Sequence, residues 1–402
     1  MTHAAAPVRV VAFGGGHGLS ASLRALKLLR AELSLELTAV VTVGDDGGSS
    51  GRLRRDRGGL PPGDLRQALA ALADPGDEVA QRVVDLWQYR FDGIDPLAGH
   101  AVGNLLLTGL MELTGNPVEA LDRASELVRA VGRVLPMSPS PLSIEATIRG
   151  DNPIYPSAIT TVNGQHAVAI TRGEVLDVRL DPPEPVACIE AIEAVSSADW
   201  LVFGPGSWFT SVIPHLLVPD LAAAIRSSPA HRLVTLNLAV ERETAGLSLP
   251  DHLGALARYL PGLRVDVVLA DGIAVGDHMG LQVAAESLGA RVMLASVAVA
   301  DGSPRHDPIA LADALYKVFS VSDLASSEHR SERASEQRSE GGARLSVTDP
   351  PSSEHRSELA SEERSEGGEG WSSPPPADRA TAPADAAVAP QDGPRGPDSN
   401  AR

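Results

Sequence analysis

The sequence predicts an α/β fold: a mainly parallel sheet with a helical cap, a small antiparallel insertion and a disordered C-terminal tail. Three observations predict it. Short aliphatic runs alternate with amphipathic segments through residues 7–321, the signature of strands joined by helical crossovers. Two of those runs pass straight into glycine-rich turns that open helices. After about Val321 the composition turns polar and repetitive.

The runs "VRVVAF" (8–13), "TAVVTV" (38–43), "DWLVFG" (199–204), "RLVTLNL" (232–238), "VDVVLA" (265–270) and "RVMLASV" (291–297) suit strands buried on both faces. Amphipathic helices fall between them, among them 19–33 and 251–260. Residues 64–131 read as consecutive helices forming the cap. The segment 133–180 differs: "VLPMS", "SIEATIRG", "HAVAI" and "EVLDVRL" are divided by turn residues, which predicts the antiparallel insertion.

Residues 326–342, "SSEHRSERASEQRSEGG", recur at 352–368 as "SSEHRSELASEERSEGG". Such a segment has too little apolar surface to offset the entropy of ordering. The expected organisation is therefore a body, 1–324, and an acidic disordered tail, 325–402.

Composition bounds the function. The 402 residues are 43% hydrophobic but only 3% aromatic, so aliphatic side chains must fill the core. A net charge of −18 argues against sequence-independent nucleic-acid binding. No run of 18 apolar residues occurs, so no membrane-spanning helix is expected. A single cysteine, Cys188, excludes a disulfide framework and a cysteine-rich metal site. With no signal-peptide pattern at the start, the expected compartment is the cytoplasm.

Three stretches carry chemistry. In "VVAFGGGHGLSASLRAL" (10–26), a strand enters Gly15, Gly16, His17 and Gly18 and a helix follows at once. Glycines permit the tight turn and let phosphate approach the backbone, while the helix N-terminus offers unpaired N–H groups. In "TAVVTVGDDGGSSGRLRRDRGGLPPGDLR" (38–66), the region after the strand lacks a helical or strand period and reads as a long loop. Asp45 and Asp46 stand where a dinucleotide fold places a carboxylate on ribose. The pair, followed by Gly47, Gly48, Ser49 and Ser50, also suits a hard cation carried with a diphosphate. Arg52, Arg54, Arg55, Arg57 and Arg66 offer charge-assisted bonds to phosphate, or remain solvated. Asp64 sits near the start of "LRQALAALA", as a ligand contact or an N-cap.

The third stretch, "DWLVFGPGSWFTSVIPHLLV" (199–218), repeats the strand, turn and helix pattern. Gly204, Gly206, Ser207, Thr210 and Ser211 form a second expected anion cradle. Two cradles on one sheet edge, either side of a switch point, describe a site for a nucleotide diphosphate. Gly103 and Asn104 at a helix start, and Asn237 at a strand end, are further candidate contacts. His100 and His215 read as structural. No serine nucleophile elbow, HExxH or P-loop is present, and no general base is assignable.

The motifs "GGGHGLS", "VTVGDDGGSSGRLR", "LPPGDLRQAL", "GHAVGNLLL", "GRVLPMS" and "FGPGSWFTSVIPHLLV" resemble the YvcK family of gluconeogenesis factors (UPF0052), related to the CofD family of 2-phospho-L-lactate transferases. The resemblance implies a Rossmann-like cytoplasmic protein that binds UDP-sugars, UDP-N-acetylglucosamine in particular. It implies a regulatory role in cell shape and wall-precursor supply on gluconeogenic carbon, with cell-wall synthesis proteins as partners. The related transferases move a phospholactyl group from a nucleotide-diphosphate donor to a deazaflavin, with a divalent cation; here Mg2+ would fall on Asp45 and Asp46. His17 stands where the family commonly has Thr, and His215 where Asn is common. A lone glycine fingerprint would equally fit an NAD(P)-dependent oxidoreductase. The architecture also leaves surface for homo-oligomer contacts, and the acidic tail for partner recruitment.

Overall fold

The computed structural model describes residues 6–30 and 32–320; the acidic tail lies outside the described residues. Its centre is a seven-stranded parallel sheet. The strands are β1 (Val8–Gly14), β2 (Leu35–Val41), β3 (Arg133–Pro136), β7 (Trp200–Phe203), β8 (His231–Thr235), β9 (Val267–Ala270) and β10 (Arg291–Leu294). Their spatial order is β10-β9-β8-β7-β1-β2-β3. The chain winds outward from β1 through β2 to β3, then returns beside β1 at β7 and winds the other way. This is a Rossmann-like arrangement, and the topological switch point lies between β1 and β7.

Central strands are buried along their length, β7 and β9 at every residue, because helices cover both faces. On one side run α1 (Gly16–Leu29) and the cap, α3 (Pro62–Leu72), α4 (Glu78–Gln88), α5 (Val102–Thr114) and α6 (Pro117–Val128). Local signals set the ends of these helices. Asp77 accepts from the Val79 and Ala80 amides to start α4, and Asn116 accepts from Val118 and Glu119 to start α6. Gly115 closes α5 in the left-handed conformation. Residues 308–320 form a further helix, whose Phe319 ring lies 4.8 Å from that of Trp200.

The antiparallel insertion is a three-stranded sheet of order β5-β4-β6, comprising β4 (Ser143–Arg149), β5 (Ile159–Asn163) and β6 (Glu174–Asp181). It begins later than the sequence suggests. Residues 133–136 pair parallel with β2, Thr38 opposite Arg133 and Val41 opposite Pro136, as an edge of the main sheet. "HAVAI" forms the short helix α7 (Gln165–Ala169), not a strand. β5 was not legible, because its residues are almost all exposed and carry no alternation.

A second correction concerns the long loop. Residues 48–57 are helical (α2, Gly48–Arg57). The only buried residues of α2 are Ser49 and Ser50, so hydrogen bonds rather than an apolar stripe seat it. A helix held that way has no hydrophobic period to read.

Candidate functional site

The two glycine-rich loops follow β1 and β7, which pair directly, Phe13 opposite Phe203. Those rings stack with centroids 4.8 Å apart. The loops therefore meet. A Cβ on Gly18 would lie 2.5 Å from the Gly206 Cα, and Ser22 Oγ donates to the Gly204 carbonyl at 2.8 Å. Between and above them opens a cleft of about 620 Å³, within the size range of small-molecule sites. Gly15, Gly16, His17 and Gly18 form its floor at the N-terminus of α1, with Asp64 beside them. Gly206, Ser207, Ser211 and Asn237 form the facing wall.

At the second loop part of the helix start is already engaged from within the chain. Its helix starts at Trp208 with Ser207 as N-cap, and the Phe209 amide already donates to Glu243 Oε1 at 2.9 Å. Glu243 is buried and packs against Thr210, which lies outside the cleft lining. Burial pushes its carboxyl up to about 7; the nearby Glu241 charge adds to the rise, and the Thr210 hydroxyl opposes it. Glu243 thus takes up amides of this helix start from outside the cleft lining. Ser207 Oγ donates to Glu241 at 2.8 Å. Asn237 makes a reciprocal pair with Gly206, accepting from its N–H at 2.8 Å and donating to its carbonyl at 2.9 Å. The second loop forms a hydrogen-bonded wall of the cleft, and the N-terminus of α1 opens onto the opposite side.

Asp64 is the group that sequence reading placed least well. Pro61 holds the N-cap of α3, and Asp64 sits in the first turn. Its carboxylate reaches the first loop: a Cβ on Gly15 would lie 2.5 Å from Asp64 Oδ2 and 2.5 Å from Thr42 Cγ2. Glycine at 15 is needed for this contact. Burial, then the Asp45 charge, pushes Asp64 up to about 7, against the pull of the Gly16 N–H and Arg66. Among the described residues Oδ2 has no hydrogen-bond partner, nor do the buried Thr42 Oγ1 and Gln165 Oε1 nearby. Asp64 is thus an acid poised near neutrality in the cleft.

The profile of the 2-phospho-L-lactate transferase CofD family matches residues 10–290. The chain belongs to this family. It is 47% identical over 323 residues to a Mycobacterium tuberculosis protein named "Putative gluconeogenesis factor", covering 79% of this chain and 92% of that one. It is 37% identical over 278 residues to the gluconeogenesis factor of Halalkalibacterium halodurans, covering 69% and 81%. A crystal structure of a UPF0052 family member from Bacillus halodurans superposes with a TM-score of 0.68 at 31% identity, covering 78% of this chain and all of that one.

In this CofD-family chain the remaining candidates lie outside the cleft lining. Asp45 Oδ1 accepts from the Gly47 amide at 2.9 Å, whereas Asp46 Oδ1 accepts from His166 at 2.8 Å and caps α7. Different elements engage the two carboxylates, and no cluster of three or more His, Cys, Asp or Glu suited to a metal occurs among the described residues. A cation carried with a diphosphate would need only one or two of the chain's carboxylates, and the Asp45 charge already acts on the cleft-lining Asp64. Gly48 takes φ 46° at the start of α2, and Ser50 Oγ accepts from the Gly63 amide at 2.9 Å. Ser49 Oγ contacts His100 Nδ1 and accepts from Asn104 Nδ2, both at 2.9 Å; Asn104 Oδ1 in turn accepts from Arg66 Nε at 2.8 Å. Gly103 packs against the Trp87 ring, 2.7 Å from a built Cβ.

Arg54, Arg55 and Arg57 of the stretch make contacts within the chain. Arg54 donates to Leu142 O and Ser143 Oγ, while Arg55 and Arg57 pair with Asp56 and Glu112 at the surface. His215 is structural as expected, its Nε2 3.0 Å from Val40 O. Residues not singled out from sequence also line the cleft: Arg24, Gln165, Glu241, Arg305 and His306. Arg24 was readable in principle, lying on the face of α1 two turns beyond the loop. Arg305 and His306 belong to a segment with no periodicity and reach the cleft only through the fold.

Proposed function

We propose that this chain binds a nucleotide-diphosphate sugar, of the UDP-N-acetylglucosamine type, and acts as a regulator of cell shape and wall-precursor metabolism on gluconeogenic carbon in the cytoplasm. The observation that carries the reading is the cleft at the switch point, onto which the glycine-rich N-terminus of α1 opens beside Asp64, while Glu243 engages the facing helix start. The diphosphate would lie on the α1 amides. Arg24, which makes no hydrogen bond or ion pair among the described residues, and Arg305 would flank it. The hydroxyl-rich end would meet Glu241 and Ser207. The names of the relatives support the regulatory part.

Calorimetric titration with UDP-N-acetylglucosamine, UDP-glucose, GDP and NAD tests this. Selective binding of the UDP-sugars, lost in Arg24→Gln, is the expected result. A ligand at a hundred times its Kd would stabilise the fold by about 2.7 kcal/mol. Equal binding of NAD, or none of the UDP-sugars, would remove the reading.

A second reading, phospholactyl-type transfer to a deazaflavin, is favoured by one observation: Asp64 lines the cleft with its proton held to about 7, suited to general acid–base work. Turnover of a nucleotide-diphosphate donor, abolished in Asp64→Asn with binding retained, would select it.

A further inference from the structure

Outside the cleft, four basic groups converge on the loop between α4 and α5. Arg52 comes from α2, Arg66 from α3, Arg90 from the end of α4, and His100 from the loop itself. Arg52 donates to Ala98 O at 2.7 Å and Arg90 to Gly99 O at 2.6 Å; Arg66 donates to Asn104 Oδ1 at 2.8 Å. Each guanidinium is thus fixed by a neutral oxygen, and none of the three forms an ion pair among the described residues. In a chain with 52 acidic and 34 basic residues, three arginines beside one another without an ion pair are conspicuous, although the Asp64 and Asp45 charges act on Arg66. One of them, Arg66, is only 5% exposed.

Fixing a guanidinium through a carbonyl orients it without neutralising it, so its remaining N–H groups and its charge stay available. Burial pulls the Arg66 guanidinium down to about 10, the Arg90 charge adds to the fall, and the Asp64 and Asp45 charges oppose it. Exposure grades from Arg90 at the surface, through half-buried Arg52, to buried Arg66 and His100. The residues alongside add donors: Asn104 Nδ2 is held on Ser49, and the buried Trp87 indole N–H has no acceptor.

We infer that Arg52, Arg66, Arg90 and His100 form a second anion-binding site, separate from the cleft, for the phosphate or carboxylate group of a second small molecule. The site stands independently of what the cleft binds. His100 reports on it. Burial holds its imidazole below the ordinary range, and the Arg52 and Arg90 charges push the same way, with only Asp56 opposing. Its other near neighbours, Ser49 and Asn104, are neutral.

The test titrates the full chain with inorganic phosphate, and in parallel with malonate, while NMR follows the His100 ring across pH. An anion seated between the arginines adds an opposing charge, and the His100 pKa should rise by about 1. The Arg52→Gln/Arg90→Gln variant should weaken anion binding at least tenfold and abolish that rise. Arg24→Gln, which alters the cleft alone, should leave both intact. The tighter of the two probes names the class. If His100 titrates identically with and without either anion, or if Arg24→Gln rather than the double variant removes binding, the cluster is only a structural network and the inference fails.

Discussion

Gly18 of the first glycine-rich loop and Gly206 of the second are in backbone contact: a Cβ on Gly18 would lie 2.5 Å from the Gly206 Cα and 2.7 Å from the Pro205 carbonyl carbon. The contact joins the two halves of the sheet at the switch point and makes one cleft of two loops. Neither neighbour is a flexible side chain, so nothing can give way without moving a loop.

Gly18→Ala should therefore destabilise the protein by about 1–3 kcal/mol and lower ligand affinity together, as overpacking of a rigid contact does. Gly254→Ala is the control. It lies inside helix 249–259 with open space around a built Cβ, and should stabilise by about 0.5–1 kcal/mol. Urea unfolding of the two variants checks both signs.

Asp64 and Glu243 make stability fall with rising pH. An unfolded carboxyl titrates at about 4, whereas each of these titrates at about 7 in the fold. Between those values the folded state keeps protons that the unfolded state has released, so stability declines from pH 4 to 7 and stays low above. Asp64→Asn and Glu243→Gln should each gain about 1–3 kcal/mol at pH 8 and almost nothing at pH 4. Unfolding curves at pH 4.5, 6 and 8 measure it.

His252 acts in the opposite direction. It is buried against Trp208, 5.1 Å between ring centroids, with both ring nitrogens unpartnered, and burial lowers its pKa to about 4. The unfolded chain binds this proton at about 6.5, so stability is lost as pH falls below that value. His252→Phe keeps the ring contact and removes the buried polar atoms. It should raise the unfolding free energy at pH 5 by about 1–2 kcal/mol, and by less at pH 8.

Asn237→Ala removes both bonds to the Gly206 backbone. Leaving that N–H and C=O without partners should cost about 1–3 kcal/mol and loosen the cleft wall. Nucleotide-sugar affinity should drop about tenfold in calorimetry, a loss on the order of 1.4 kcal/mol. Wild-type affinity in this variant would show that the wall needs no such brace.

The parts legible in sequence were those with a repeating physical signal. Aliphatic runs at β1, β7, β8 and β9 announced strands buried on both faces, and the glycine turns after β1 and β7 announced the loops that line the cleft. Helix α2 and strand β5 were missed because a helix seated by Ser49 and Ser50, and a strand exposed on both faces, have no hydrophobic period. Residues 133–136 were misassigned because an edge strand of four residues is defined by its partner, β2.

By itself the sequence determined the fold class, the two glycine-rich loops and the residue types gathered near them, since periodicity and backbone freedom are local properties. Only the tertiary structure decided what those residues do. It sent Asp45 and Asp46 to different elements, engaged the second helix start with Glu243, and drew Asp64 under Gly15 and Arg305 to the rim. Burial and the distance between charges arise from chain segments far apart in sequence, and they set the protonation state and available hydrogen bonds of every group in the site.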